Sequence, residues 1–491
     1  MCRRPFSSGS GKDSGSNPDR ECARFPVEQG CNDKDAMSSS TSKAQTTPSR
    51  WQRWCVNQEV HWKRGLLIVG LIACLVPFFQ IWVEQRGDFK LHYEFARRLW
   101  HGELIYYGGH DTPYPPFWAV VHLPCLLVTS HQAQLILYPL FFIAFALLVY
   151  SLGEVVKQQE ATRGLPHRSL FWVVTIATVL TSRFLIRDMT ECGVNLLLVA
   201  GAWWALVRWQ QGHDKSAGII LGLLTALKCT PALFIAWFVW KRQWELVGAA
   251  SVTIFVCMLT PLLWMEPALY VETMHYWVLT LFTGMGTADP SQGVLGVEPL
   301  QNISLKPAIG RFFMHLPEGH VARMEHPLYF DFLNLGPVWA GRIAWLTMGG
   351  LLALILTRIP RQVTNRTAES LPWEFALGSV LILLYSPITW GQHCVGLFPF
   401  FFLAGYEVLY QRKGSFALAG AVGFYILVNL VLNRGLIGKD LTWIIDSYHL
   451  PTFSMLLFVP FLLKFRAEAV HAIDSDPALL SEPTQTEPEA A

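Results

Sequence analysis

The chain has 491 residues, of which 52% are hydrophobic and 15% charged, with 20 Trp and a mean hydropathy of +0.32. That balance excludes a soluble globule and fits a multi-pass membrane protein. The net charge of +2 gives no sign of a nucleic-acid partner.

Residues 1–49 contain SSGSGKDSGSN and SSSTSKAQTTPS, polar and of low complexity. They read as a disordered cytoplasmic tail, with Met37 as an alternative start. A basic lead-in continues to residue 64. Residues 65–83, GLLIVGLIACLVPFFQIWV, follow as an uncleaved anchor. Asp88 stands five residues past that span. A carboxylate at a bilayer boundary is costly enough to suggest a task, set against the plainer reading that it ends a helix in solvent. Leu91, Phe95 and Leu99 then recur at four-residue spacing among Lys90, Glu94, Arg97 and Arg98. This predicts an amphipathic helix along the membrane surface, a lip over a site entered from lipid. Residues 115–130 are short and interrupted by Pro124, so they read as re-entrant or interfacial.

Further apolar segments fall at 134–151, 169–184, 194–210, 214–228, 231–240, 246–265, 337–357, 372–386, 394–410, 415–433 and 452–464. With the first, they make twelve if each crosses. The pair at 214–240 is short for full spans, which need about 20 residues; it reads as two short helices broken at Cys-Thr-Pro or one kinked helix. The tail from 466 to 491 is acidic, proline-bearing and read as disordered and cytoplasmic, which leaves 65–465 as the membrane domain.

The positive-inside rule tests that count. With WQRWCVNQEVHWKRG inside, twelve crossings place KQQEATRGLPHR, VRWQQGHDKS, KRQWE, TRIPRQVTNRTAES, YQRKGS and the KFR ending on the cytoplasmic side. Loops 84–133, 185–193, 228–230, 266–336, 387–393 and 434–451 fall opposite. Removing one member of the 214–240 pair would reverse the later basic loops. Asp88, Arg187, Asp188, Lys228, Asn302, Arg311 and His393 then share the extracytoplasmic face. The expected fold is all-α, with both termini cytoplasmic.

A carboxylate there can accept a hydroxyl proton, and nearby cations can hold a phosphate. Lys228 fits a polar cavity or an interfacial snorkelling role. Arg187 and Asp188 either pair with each other or serve the site. His393 reads as a phosphate ligand, an acid/base group or a packed turn residue. The loop 266–336 is long enough to cover a site or recognise an acceptor. The ten cysteines show no metal spacing and read as mostly unpaired thiols.

Six local motifs, in order, resemble glycosyltransferase family 87, membrane enzymes of the GT-C class that use polyprenyl-phosphate sugars. They are Asp88-Phe89 with Tyr93 and Ala96; Tyr114-Pro115-Pro116; Arg187 with Gly193-Val194-Asn195; Leu227-Lys228 with Thr230-Pro231; Asn302-Ile303-Ser304-Leu305 with Arg311; and Ser386-Pro387 with Trp390 and His393. The resemblance covers most of residues 65–465. It implies inverting transfer of a sugar, often mannose, to a glycan or glycolipid hydroxyl outside the cytoplasm, in a plasma (inner) membrane. It implies Asp88 as general base with His393 beside it as a catalytic candidate, and Lys228, Arg187 and Arg311 on the donor phosphate. Tyr93, Tyr114, Asn195, Asn302 and Trp390 would shape the site, with no metal and no cofactor. Two departures bear on sugar recognition: Cys192 precedes Gly193-Val194-Asn195 where a Gly-Gln-Val-Asn string is expected, and Ile303 replaces a Gln. A lipid-linked glycan ligase or polymerase is the nearer alternative. A polytopic transporter is the other, although no inverted repeat or midplane acidic pair is visible.

Overall fold

The computed structural model describes residues 50–474, apart from 86, 107–113, 287–288, 295, 298–300, 317–332, 364 and 412–413. The tails 1–49 and 475–491, Met37, and the basic Arg412-Lys413 of one predicted cytoplasmic loop lie outside the described residues. Residues 1–65 and 66–491 are separate units. In the first, the described residues are the opening turns of a helix. Apart from α1, which begins in the first unit, everything below concerns the second.

The described structure is helical, apart from one two-residue hairpin pairing, Gln292–Gly293 against Gly296–Val297. In chain order the first helices are α1 Arg50–Val83, α2 Phe89–Trp100, α3 Phe117–His122, α4 Ser130–Leu137, α5 Pro139–Thr162 and α6 Phe171–Thr190. Then come α7 Asn195–Gln210, α8 Asp214–Leu227, α9 Ala232–Trp240, α10 Trp244–Leu259, α11 Pro267–Gly286 and α12 Leu305–Phe313. The main later helices are Gly336–Arg358, Ser370–Tyr385, Phe398–Tyr410, Phe416–Ile426 and Phe458–Asp474. Among the described residues, five helical stretches are long and apolar enough to cross a membrane by themselves: 63–83, 130–162, 244–263, 336–358 and 391–410. A sixth appears if α6 and α7, bent by 116°, are one broken span. The outward faces carry bare apolar side chains, such as Leu67, Phe79, Val252 and Leu346, which only lipid would cover at low cost.

Several elements differ from the sequence reading. The loop 266–336 opens with the 20-residue α11, which starts at Pro267 in its first turn, where the missing N–H costs nothing. The last helix continues to Asp474, nine residues beyond the predicted end of the membrane domain. The segment 214–240 is two helices. Lys228 leaves α8 in an extended conformation (φ −154°, ψ 132°), and Pro231 caps α9. The short segment after Tyr114 becomes α3 and a 3-10 turn, Leu123–Leu127, opened by Pro124.

Helix α2 buries Phe89, His92, Phe95, Ala96 and Leu99 and packs on α3, the 3-10 turn and α4. The hydroxyl of Tyr93 donates to the Val128 carbonyl at 3.0 Å and ties the helix down. Close packing of α7, α8 and α10 depends on small residues. A Cβ at Gly218 would stand 2.3 Å from the Leu246 carbonyl oxygen. Several helices run between the same two ends of this core. At one end lie Asp214, Lys241, Glu369 and Glu374. At the other, the same helices finish or start at Lys228, Ala232 and Tyr385. A helix of α8's length spans about 20 Å.

Candidate active site

The second of these ends encloses a cavity of about 770 Å³. Seven of the ten residues singled out in the sequence line it: Asp88, Tyr114, Arg187, Asn195, Lys228, Trp390 and His393. They come from five separate stretches of chain.

Asp88 precedes the first turn of α2. Its carboxylate caps nothing and has no hydrogen bond or ion pair among the described residues. Gly87, at φ +74°, turns the chain there, and a Cβ on it would stand 2.6 Å from the Cα of Glu191. The close approach sets Glu191, a second carboxylate, on the same cavity wall.

A polar chain crosses the floor of the cavity. Asp188 is fully buried. Its Oδ2 accepts from the Leu196 backbone N–H at 3.0 Å and its Oδ1 from Asn195 Nδ2 at 2.7 Å. The carboxylate thereby caps the N-terminus of α7, where four backbone donors lack helical partners. Gly193 is required here, because a Cβ would stand 2.0 Å from Asp188 Oδ1. Cys192 beside it adopts φ +52°, a strained conformation for a non-glycine residue. With its amide nitrogen committed to Asp188, Asn195 turns its Oδ1 to Lys228 Nζ, which donates at 2.9 Å.

Lys228 Nζ also stands 3.0 Å from His393 Nε2 and 5.6 Å from the centre of the Tyr114 ring. The Trp390 backbone N–H donates to His393 Nδ1 at 3.1 Å. A neutral histidine whose Nδ1 accepts carries its proton on Nε2. That proton faces Lys228. The contact is then a hydrogen bond only to an uncharged amine; with a charged Lys228, two donors converge on one point. An anionic oxygen there would accept from both.

Arg187 forms no ion pair with Asp188, which is fully engaged elsewhere, and among the described residues its guanidinium has no hydrogen bond. It lies against Gly391, where a Cβ would come within 3.2 Å of Nη1. Part of the lining is apolar: Leu233 and Ala236 of α9, Leu281 of α11, and Ile382, with Tyr385 beside it.

Three predicted residues lie elsewhere. Tyr93 serves as the anchor of α2 described above. Asn302 is fully buried: its Oδ1 accepts from Ser304 N at 3.0 Å and Thr389 N at 2.8 Å, and its Nδ2 donates to the Pro387 carbonyl at 2.9 Å. It staples the start of α12 to the loop that carries Trp390 and His393. Arg311 is buried, donates from Nε to the Ser447 carbonyl at 2.9 Å and lies over the Tyr448 ring at 4.9 Å. It does not line the cavity.

Sequence reading missed His92, Glu191, Tyr385 and Gln392, which do line it. His92 is buried against Tyr114, Trp118 and His122. Burial first, then the neighbouring His122 and Lys228, hold it neutral by lowering its pKa. Its Nδ1 has no hydrogen-bond partner among the described residues. The same-face spacing of Phe89, His92, Phe95 and Ala96 is the signal that locates it. Burial likewise raises the pKa of the Tyr114 hydroxyl, followed by the charges of Asp88 and Asp188.

Among the described residues, no three His, Cys, Asp or Glu side chains are grouped to hold a metal ion. Cys74, Cys125, Cys192, Cys229, Cys257 and Cys394 are free thiols. The sequence model of glycosyltransferase family 87 matches residues 112–387, more than half of the chain. Tyr114, Arg187, Asn195, Lys228 and Asn302 fall within the match; Asp88, Trp390 and His393 lie outside it. No curated protein and no solved structure matches.

Proposed function

Because the chain belongs to glycosyltransferase family 87, we propose that this cavity transfers a sugar, with mannose as the first choice, from a polyprenyl phosphate to a hydroxyl of a glycan or glycolipid. The observation that carries the proposal is the pairing of an unengaged carboxylate, Asp88, with Lys228, Arg187 and His393 in one cavity that also has an apolar wall.

In this reading the acceptor hydroxyl gives its proton to Asp88 as its oxygen attacks the anomeric carbon. The bond from that carbon to the phosphate oxygen breaks on the opposite face, so the configuration inverts. The polyprenyl phosphate leaves as an anion, stabilised by Lys228 and Arg187 and by the Nε2 proton of His393. The point where Lys228 and His393 present donors to each other suits a phosphate oxygen. Charge-assisted hydrogen bonds of this kind are about twice as strong as neutral ones. The isoprenoid chain would lie along Leu233, Ala236, Leu281 and Ile382. Asn302 and Tyr93 act by holding the Trp390–His393 loop and α2 in place. Arg311, which the family resemblance puts on the donor phosphate, does not line the cavity and is given no role in this reading.

The full proposal is a GT-C-type enzyme of about twelve spans in the plasma (inner) membrane, with the cavity on the extracytoplasmic side. The arrangement of basic loops supports that orientation under the positive-inside rule. Membranes containing the protein, supplied with radiolabelled polyprenyl-phosphate mannose, should transfer label in a manner abolished by Asp88→Asn. Transfer from a nucleotide sugar, with none from the lipid phosphate, would sink the proposal.

A further inference from the structure

A second cavity, of about 330 Å³, adjoins the first and shares Arg187 and Trp390 with it. Its remaining polar lining comprises Arg183, Gln301, Asn429, Arg434, Thr442 and Asp446. Three guanidinium groups thus face one carboxylate, and positive charge is in excess. Arg187 and Arg434 have no hydrogen bond or ion pair among the described residues. Cations lining a concave, partly dehydrated site are best satisfied by an anion.

The wall is built rather than incidental. The helix Phe416–Ile426 passes into a π-helical turn, Leu427–Val431. Such turns occur often at functional sites, because they break the regular ladder of backbone bonds. Here the Asn429 carbonyl accepts from Arg183 Nη1 at 2.7 Å and fixes that guanidinium at the cavity. The Asn429 side chain is buried, donates to Ser454 Oγ at 2.9 Å and to the Tyr425 carbonyl at 3.1 Å, and so holds the turn. On the far side, Lys439 Nζ lies 3.9 Å above the centre of the Trp443 ring and adds another positive charge nearby.

We propose that the second cavity binds an anionic group, a phosphate or carboxylate, of the acceptor, and that Arg187 and Trp390 form the passage through which the acceptor hydroxyl reaches Asp88. The assignment to the acceptor rests on the donor reading of the first cavity. The donor phosphate is already served there by Lys228, His393 and Arg187. A second group of arginines beyond Arg187 therefore has another anion to hold. The acceptor class narrows to glycans or glycolipids that carry a negative charge close to the hydroxyl that receives the sugar.

The test uses the full-length purified protein in detergent, with inorganic phosphate as the probe of the second cavity and farnesyl phosphate as the probe of the first. With farnesyl phosphate saturating, inorganic phosphate should still bind. Arg434→Gln should weaken that binding at least about tenfold, the loss expected for one charge-assisted contact, and Arg434→Lys should restore part of it. Asp446→Asn should tighten it, because the one repelling carboxylate is gone; a merely structural role for Asp446 would not increase affinity. All three variants should bind farnesyl phosphate as the wild type does. If farnesyl phosphate displaces all the inorganic phosphate, there is a single anion site and the inference fails. Equal phosphate affinity in wild type and Arg434→Gln overturns it as well. If farnesyl phosphate does not bind at all, the donor reading is lost, and the Arg434→Gln titration alone decides whether the second site exists.

Discussion

The two ends of the helical core treat charge in opposite ways. At the end carrying Lys241 and Glu374, the ions are closed on one another. Lys241 Nζ stands 2.6 Å from Glu374 Oε2, both side chains are almost fully buried, and Arg466 Nε reaches the other oxygen at 3.1 Å. Trp237 Nε1 and the Pro360 carbonyl complete the set. Nearby, Arg163 grips Glu369, and Arg366 binds Asp214 at 2.7 and 3.0 Å. At the cavity end, Asp88, Glu191 and Arg187 are left without partners among the described residues. Buried ion pairs contribute little net stability but are costly to break. Open charges stabilise nothing until a ligand arrives. The first end is therefore expected to respond to mutation as structure and the second as function.

The sharpest separation should come from Asp88→Asn. It keeps the shape and removes the proposed base, so transfer should fall by about 10²–10⁴-fold while the melting temperature in detergent stays at the wild-type value. Asp88→Glu should keep a little activity, and Glu84→Gln, on the approach to Asp88, should be nearly silent. Wild-type turnover in Asp88→Asn together with loss in Glu191→Gln would move the base to the neighbouring carboxylate.

At the closed end the expectation reverses. Glu374→Ala leaves Lys241 buried without its carboxylate and should cost about 3–5 kcal/mol of stability, seen as a large drop in melting temperature. The protein that remains folded should transfer sugar at the normal rate. A variant of normal stability but low activity would show that the closed end reaches the site.

A smaller contrast divides two cations that the sequence alone had grouped together. Lys228→Ala should weaken farnesyl phosphate binding by about 1.5–3 kcal/mol with little effect on folding. Arg311→Ala should do the opposite, since Arg311 holds the Ser447 carbonyl and the Tyr448 ring. Equal losses of binding in the two would return Arg311 to the donor site.

Arg311 also shows what could be read in advance. The membrane-spanning helices were legible in the long apolar runs, and the break within 214–240 in its Cys-Thr-Pro string, which left two short helices or one kinked helix open until the structure showed two. That Asp88, Lys228 and His393 share one cavity was legible because ionisable groups at span ends are costly. Asn302 and Arg311 do not line the cavity, since sidedness does not say which way a buried side chain turns. Asn302 satisfies three backbone groups across the chain between 302 and 389, and no local pattern reports such pairing. Glu191 went unremarked because only the tight turn at Gly87 brings it beside Asp88. The helix α11 was read as loop because polar Glu272, Thr273 and His275 interrupt its apolar run.

The smallest expected effect concerns Tyr93, which the sequence reading placed at the site. Its hydroxyl donates to the Val128 carbonyl, so its work is to fix α2 and, through α2, the position of Asp88. Tyr93→Phe removes that bond and keeps the ring. One intramolecular hydrogen bond contributes about 0.5–1.5 kcal/mol net, so a small fall in melting temperature is expected. Turnover should fall by less than tenfold, because a loosened α2 still offers the carboxylate. The affinity for farnesyl phosphate should not change, since no atom of Tyr93 lines the cavity. A loss of binding comparable to that of Lys228→Ala would instead place the Tyr93 hydroxyl against the donor, and α2 would then have to turn on binding to bring it there.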